Sequence, residues 1–181
     1  MSDAPEFSRM VVAAPLPARP VDLIADEKER AALARRFDLV AVNALHASID
    51  LSEENRAGRA RAVLATGKLE ADIVQSCAVS GEDLPVRISD SVVLRFVPDF
   101  EAGGMEGEEA IELDADACDE IGYEGDRFDL GEAVAQTLGL AIDPFAAGPD
   151  AETVRAENPL MQGEPGGPFA ALAALKKDQE A

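Results

Sequence analysis

The sequence predicts an α+β fold, in which an antiparallel β-meander is packed by two main helices and followed by an acidic loop and a flexible C-terminal tail. Three long segments between residues 39 and 97 alternate apolar with polar residues, as strands with one buried face do. Two other segments begin with an Asp-x-x-Glu pattern and repeat apolar residues at helical spacing. We find no internal repeat, so residues 1–147 are expected to form a single domain, followed by a Pro/Gly-rich tail at 148–181 with a short terminal helix.

The first 37 residues are predicted to form a strand and a helix. Residues 7–12 are apolar enough for a strand, which the prolines of residues 15–20 end. Asp26 stands three residues before Glu29, the spacing of a capping box. The helix that follows is expected to bury Ala32, Leu33 and Phe37 and to leave its arginines mainly in solvent: Arg30, Arg35 and Arg36.

The predicted meander has strands at 39–51, 60–74 and 85–97. The residues expected on its buried face are Leu45, Ala47, Ile49, Leu51, Val63, Ala65, Leu69, Ala71, Ile73, Val86, Ile88, Val92, Leu94 and Phe96. Gly67 interrupts the second strand and predicts a bulge or bend. Between the second and third strands lies a turn that contains Cys77.

The C-terminal part combines a glycine-rich acidic loop, an edge strand and a helix. The loop occupies residues 101–107, and Ile111 and Leu113 alternate with acids in the predicted edge strand. The helix starts at Asp129 and ends before Pro144, since the residue that precedes a proline is pushed out of helical geometry. Its predicted apolar face is Leu130, Val134, Leu138, Ala141 and Ile142.

The net charge of −20 is the strongest compositional signal, and it is concentrated in one part of the chain. Residues 1–68 carry ten acids and ten bases, whereas residues 69–181 carry twenty-six acids and six bases. Such a surface repels phosphate backbones, because nucleic-acid binding depends on Lys and Arg. The acids are either a solvated loop or a docking surface for a basic protein. The residues proposed for such a surface are Glu106, Glu108, Glu109, Glu112, Asp114, Asp116, Asp119 and Glu120.

The sequence predicts a cytoplasmic protein with no membrane segment. Residues 1–6 contain acids where a signal peptide has a basic region, and no apolar run is long enough to span a bilayer. The two cysteines, Cys77 and Cys118, are typical of a reducing compartment. With His46 as the one histidine, they are too few for a structural zinc site, so we expect neither a metal nor a cofactor.

No convergent catalytic set is apparent, and the sequence predicts a protein that is not an enzyme. A nucleophilic Cys77 would need His46 as its base, and a histidine on a half-buried strand is more often structural. Cys77 is therefore interpreted as a small buried apolar residue. The glycines of residues 103–107 lack the Lys-Ser/Thr of a phosphate-binding loop.

Three segments resemble the YceD family, whose bacterial and chloroplast members are associated with accumulation of large-subunit ribosomal RNA. The first is residues 67–86, which include Cys77 and Gly81. The second, residues 128–145, contains FDLGEAVAQTLGLAIDPF and is similar to the family's IDLGELVAEQLALALDPYP. The third, residues 167–176, resembles the family's NPFAVLAALK. The family-motif residues carried over are Cys77, Gly81, Asp129, Leu130, Leu138, Pro144 and Phe169.

The resemblance implies a non-enzymatic factor for large-subunit assembly, with a basic ribosomal protein as the natural partner. Many members carry a C-x-x-C at the cysteine turn and a further cysteine after the second motif. Here Ser80 stands at the second position and residues 145–150 contain no cysteine, so no metal site is carried over. Any contact with RNA is expected from Arg56, Arg59 and Arg61, or from Arg30, Arg35 and Arg36. The alternatives are a metal- or nucleic-acid-binding module of unknown role and an acidic chaperone-like binding protein.

Overall fold

The computed structural model describes residues 5–55, 61–98 and 119–157. Over these residues the predicted α+β class is confirmed, with strands and helices in one chain. The strands are β1 (Met10–Val12), β2 (Val21–Ile24), β3 (Ala41–Glu54), β4 (Ala62–Ser76), β5 (Asp83–Pro98), β6 (Asp119–Tyr123) and β7 (Arg127–Asp129). The helices are α1 (Glu27–Arg36), α2 (Leu130–Ala141) and α3 (Ala151–Glu157).

The main sheet has the strand order β2-β3-β4-β5-β6. Strand β3 is antiparallel to both β2 and β4, whereas β6 is parallel to β5. The sheet is therefore mixed, because the predicted meander is extended at one edge by the parallel strand β6, which the sequence does not predict. Strands β1 and β7 form a separate antiparallel pair, in which Val11 lies opposite Phe128.

The three long central strands confirm the predicted meander and its buried face. Leu45, Ile49, Leu69, Ile73 and Phe96 are each at most 2% exposed. Polar residues such as Lys68, Glu70 and Asp72 take the exposed face of β4. Alternation on this scale stabilises the sheet by removing one whole face from water.

The position of the β-bulge differs from the prediction. The register shift lies between Val42 and Ala44, whereas Gly67 pairs in register with Ile49. A Cβ atom on Gly67 would collide with the backbone carbonyl of Ser48 and come within 2.9 Å of the Cα of Ile49. Glycine at this position therefore allows close approach of two strands, without a bulge.

Both predicted helix starts are confirmed by their caps. The Asp26 carboxylate accepts a hydrogen bond from the Glu29 N–H, and the Glu29 carboxylate accepts one from the Asp26 N–H. Asp129 caps α2 by accepting from the Glu132 N–H at 3.1 Å. Its carboxylate also accepts from the Arg9 N–H at 2.8 Å and the Ser8 hydroxyl at 2.6 Å, which fixes the N-terminal segment against the start of α2.

The core lies between the buried face of the main sheet and the two main helices. Its largest buried side chains include Phe7, Phe96, Phe128, Leu33 and Leu138. The rings of Phe96 and Phe128 stack with centroids 4.2 Å apart. Gly131 brings α2 close to the N-terminal segment, since an added Cβ would lie 2.5 Å from the Phe7 carbonyl oxygen.

Several elements differ from the sequence-based expectation. Strand β2 was not predicted, and the first strand is shorter than the expected residues 7–12. Helix α3 lies in a stretch expected to be loop-like. The acidic loop at 101–107, the edge strand of Ile111 and Leu113 and the terminal helix lie outside the described residues.

The chain divides into two compact units. The first consists of Met1–Gln75 and Pro85–Asp143, and the second of Ser76–Leu84 and Pro144–Ala181. The first unit contains most of the sheet together with α1 and α2. The second contains the cysteine turn and α3. The predicted boundary at residue 148 stays a prediction.

Candidate functional site

The cysteine turn is a tight loop built on backbone hydrogen bonds. The Cys77 N–H donates to the Glu82 carbonyl at 2.8 Å, and the Gly81 N–H donates to the Cys77 carbonyl at 2.9 Å. Gly81 has φ of 74°, a left-handed conformation that glycine adopts without steric cost. The Ala78 N–H donates to the Ala146 carbonyl at 3.0 Å, so residues after α2 close the turn.

The Cys77 sulfur lies among hydrogen-bond donors. Its Sγ accepts from the Gly148 N–H at 3.3 Å and from the Ser80 N–H at 3.4 Å. The Gly148 N–H has the largest effect on the thiol, followed by the Ser80 hydroxyl and N–H, and together they lower the pKa of Cys77 to about 6. Donors that point at one sulfur stabilise its anion in the way a backbone nest does. These hydrogen bonds favour the thiolate form of a side chain that is 4% exposed.

This arrangement revises the sequence interpretation of Cys77. The prediction of a buried residue is confirmed, and the structure adds two hydrogen bonds to the sulfur that the sequence does not indicate. Its sulfur joins two chain segments, residues 77–80 and Gly148, through charge-assisted hydrogen bonds. Gly148 was missed because nothing in the sequence near it indicates a sulfur contact.

The residues around Cys77 do not fit a metal ion. A closed zinc site needs four thiolate or imidazole ligands, and the Cys77 turn supplies one. Ser80, at the second position of the family's C-x-x-C, contributes an N–H donor, and an N–H group cannot ligate a cation. Over residues 5–55, 61–98 and 119–157, no group of three or more His, Cys, Asp or Glu side chains converges.

His46 is engaged on the main sheet. Its Nε2 lies 3.5 Å from the Asp22 Oδ1, across the β2–β3 pair, and its side chain is 47% exposed. The polar groups that surround the Cys77 sulfur are N–H groups and the Ser80 hydroxyl, which are donors and not bases. The described geometry gives Cys77 no general base.

The family-motif residues have structural roles wherever they are described. Gly81 supplies the left-handed turn, Asp129 caps α2, and Leu130 and Leu138 are fully buried on its inner face. Pro144 follows the end of α2, whose last residue is Ala141. Phe169 lies outside the described residues.

Only the last two acids of the proposed docking surface fall within the described residues. Asp119 and Glu120 begin β6, and Glu120 is exposed and pairs with Arg95 at 3.3 Å. The other six lie in the segment 99–118, outside the described residues: Glu106, Glu108, Glu109, Glu112, Asp114 and Asp116. The docking surface stays a prediction.

The candidate RNA-contacting arginines that the structure describes do not form one group. Arg36 is exposed, as predicted, and it also bridges Glu132 at 2.7 Å and Glu6 at 2.9 Å. Arg61 is 72% exposed at its side chain and pairs with Glu53 at 3.1 Å. Arg56 and Arg59 lie outside the described residues.

Arg30 and Arg35 meet in a groove between α1 and the start of β3. The groove has a volume of about 800 Å³. It is lined by Glu27, Lys28, Arg30, Ala31, Ala34, Arg35, Leu39, Val40, Ala41 and Val42. No local pattern in the sequence indicates it, because the groove exists only once α1 is placed beside β3. We call this feature the α1–β3 groove.

Together these features define a class of protein: a small α+β chain with a buried cysteine held by backbone hydrogen bonds and no catalytic set among the residues that the structure describes. No helix of that part of the chain is long and apolar enough to cross a membrane.

The family model for the large ribosomal RNA subunit accumulation protein YceD matches residues 65–176, more than half of the chain. The chain belongs to the YceD family, as the motifs at Cys77 and Asp129 indicated. Comparisons with curated proteins and with solved structures gave no match.

Proposed function

We propose that this protein supports the accumulation and assembly of large-subunit ribosomal RNA without catalysing a reaction, through contacts with a basic protein partner. The family match over residues 65–176 carries the proposal, since the family is described by accumulation of the large ribosomal RNA subunit. That description names an outcome for the RNA and not a chemical transformation.

The chemistry of the cysteine turn supports a non-catalytic role. The Cys77 sulfur is the candidate nucleophile of the turn, yet it is 4% exposed and surrounded by donors that stabilise it. A nucleophile needs access to substrate and a base that takes up or returns a proton. The Cys77 sulfur has neither, and its hydrogen bonds to residues 80 and 148 serve the local fold.

The charge distribution supports a protein partner. Residues 69–181 carry all of the excess negative charge, which opposes contact with phosphates and favours contact with a basic protein. Ribosomal proteins are basic, and so they are the partners that this charge suits best. The proposed docking acids are those between Glu106 and Glu120.

The proposal is tested by deleting the gene and measuring the ratio of large-subunit to small-subunit ribosomal RNA. We expect the ratio to fall and to be restored by the wild-type gene. A Cys77→Ser gene is the informative control, because serine keeps the turn but removes the thiolate. We expect it to restore the ratio wholly or largely.

Two results would contradict the proposal. An unchanged RNA ratio in the deletion strain would remove the ribosomal function. Complete loss of complementation by a Cys77→Ser protein that is folded and present at normal level would indicate that the thiolate itself performs the chemistry of the site.

A further inference from the structure

The α1–β3 groove presents its cations in an ordered row. Lys28, Ala31 and Arg35 lie at i, i+3 and i+7 on α1, and Glu27, Arg30 and Ala34 form the adjacent row at the same spacing. Residues seven apart fall on one face of a helix, about 10 Å apart along its axis. The helix therefore sets Lys28 and Arg35 at two ends of the groove, with Arg30 between them.

The charge of the groove is opposite to that of the protein. It contains three cations and one acid, Glu27, in a chain whose net charge is −20. Lys28 and Arg35 have exposed side chains and no ion pair with any residue that the structure describes. Arg30 donates to the Ala25 carbonyl at a long 3.4 Å. By contrast, Arg36 on the same helix is held by Glu6 and Glu132.

The floor of the groove is aliphatic. It is formed by Ala31, Ala34, Leu39, Val40, Ala41 and Val42. Val40 is 51% exposed, which is unusual for a valine beside a core strand. Among the residues that the structure describes, no aromatic side chain lines the groove, so they offer no ring on which a nucleic-acid base could stack. A phosphate backbone would pair with the cations of the groove, which are Lys28, Arg30 and Arg35, but would leave its aliphatic floor exposed to water.

The start of β3 lies at the open side of this groove. Strand β2 pairs with β3 only between His46 and Ile49, and the Ala25 N–H then donates to the Leu45 carbonyl. Within the described chain no strand pairs with β3 on that side before Leu45. The register shift at Val42/Ala44 disturbs the strand there, and bulges of this kind oppose the addition of a further strand. A bound segment would therefore contact the groove through side chains and would not add a strand to the sheet.

We propose that the α1–β3 groove binds an acidic, aliphatic segment of a partner protein. Carboxylates about 10 Å apart would pair with Lys28 and Arg35, and aliphatic side chains between them would cover Val40 and Ala31. An amphipathic helix with acids seven residues apart and leucines at the third and fourth positions presents this pattern. This inference is independent of the proposed function, which concerns a basic partner and a different surface.

The test is binding of a fluorescent peptide of about 15 residues with that Glu and Leu pattern, measured by polarisation with the full-length protein. We expect saturable binding that weakens as salt screens the rim charges. The double variant Lys28→Glu/Arg35→Glu should weaken binding at least about tenfold, since two attractions become repulsions. The matched control is Arg19→Glu/Lys68→Glu, which reverses two exposed charges elsewhere and should bind as the wild type does.

The floor is tested separately by Val40→Ser, a change at an exposed side chain that leaves the charge and the core intact. We expect the Val40→Ser protein to bind the Glu and Leu peptide more weakly than the wild type does. A peptide whose leucines are replaced by serine should bind the two proteins equally. Circular dichroism and thermal melts establish that each variant is folded. In the wild type, amide shifts at residues 27–42 should move on addition of the peptide.

Other occupants give different results. In one outcome, the peptide fails to bind while a mixed-sequence single-stranded RNA binds. If that RNA binding is lost in Lys28→Glu/Arg35→Glu but kept in Val40→Ser, a nucleic-acid contact replaces the proposal. Salt-sensitive self-association lost in the Lys28→Glu/Arg35→Glu variant would assign the groove to a second copy of this chain. Absence of peptide binding to folded wild type would also overturn the proposal.

Discussion

Ser80 illustrates how one side chain decides the chemistry of the cysteine turn. A cysteine at this position would add a second soft ligand next to Cys77, whereas serine adds a hydroxyl and leaves its N–H pointing at Sγ. The Gly148 N–H completes the set of donors. Cys77 is thereby stabilised as an anion by hydrogen bonds, without a metal ligand set around it.

The first prediction concerns the ionisation of Cys77, whose pKa is lowered from 9.0 to about 6. In a Cys118→Ser background, the ultraviolet absorbance of the thiolate should titrate with a midpoint near 6. The amide shifts of Ser80 and Gly148 should titrate with the same midpoint, because their N–H groups are the donors. A midpoint above about 8, near that of a free thiol, would show that these hydrogen bonds are not made.

The direction of the pH effect on stability follows from the sign of this shift. A group whose folded-state pKa is lowered contributes stability that is fully present above its unfolded pKa, here about 9. That contribution is lost as the pH falls through about 6, where the folded thiolate takes up a proton. The stability advantage of wild type over Cys77→Ser should therefore increase between pH 6 and pH 9.

At the scale of elements, α2 shows what the apolar spacing predicts and what it misses. Leu130, Val134 and Leu138 are buried as predicted. Gly131, Ala133 and Ala135 are also buried, because the N-terminal segment covers a second side of the helix. A pattern of large apolar residues does not reveal a face made of glycine and alanine.

The second prediction compares two leucines of α2. Leu138 is 0% exposed and Leu140 is 81% exposed, although only one residue separates them. Leu138→Ala should lower the free energy of unfolding by about 2–5 kcal/mol, because it leaves a cavity in the core. Leu140→Ala should change it by less than about 0.5 kcal/mol. Urea denaturation of both proteins gives the comparison, and equal effects would mean that the orientation of α2 is wrong.

The sheet was predictable in its long strands and not at its edges. Strands β3, β4 and β5 have 14 to 16 residues each, long enough for alternation to be unambiguous. Strand β2 has four residues next to a proline, and β6 has five, with two acids and a glycine. Their pairing depends on the neighbouring strand, which local sequence does not specify.

The candidate sites were predictable to different degrees for the same reason. Cys77, Gly81 and Asp129 stand out in the sequence because turns and caps use few residue types. The role of Arg36 depends on Glu132, which lies 96 residues away, and the groove depends on α1 lying beside β3. Such contacts are properties of the folded chain and have no local signature.

At the scale of the whole molecule, charge is distributed unevenly along the chain. The described part of the N-terminal segment contains the cationic α1–β3 groove, whereas residues 69–181 carry the excess acids. Surfaces of opposite charge on one molecule favour partners of different charge, so the proposed acidic docking surface and the groove call for separate tests. The effect of a local group of charges on binding therefore has to be measured separately from the effect of net charge.

The third prediction separates a local docking surface from an effect of net charge. Two variants each remove four negative charges by amide substitution: one at Glu108, Glu109, Glu112 and Asp114, the other at the exposed positions Glu70, Asp72, Asp83 and Asp90. Sedimentation with large-subunit particles should weaken as salt rises for the wild type, because exposed charges are screened beyond about 10 Å at 0.1 M salt. If the proposed acids dock a basic partner, only the first variant should co-sediment less than the wild type at low salt. Its remaining co-sedimentation should also depend less on salt. Equal losses in both variants would mean that the acids act through net charge alone, and the docking surface would then be abandoned.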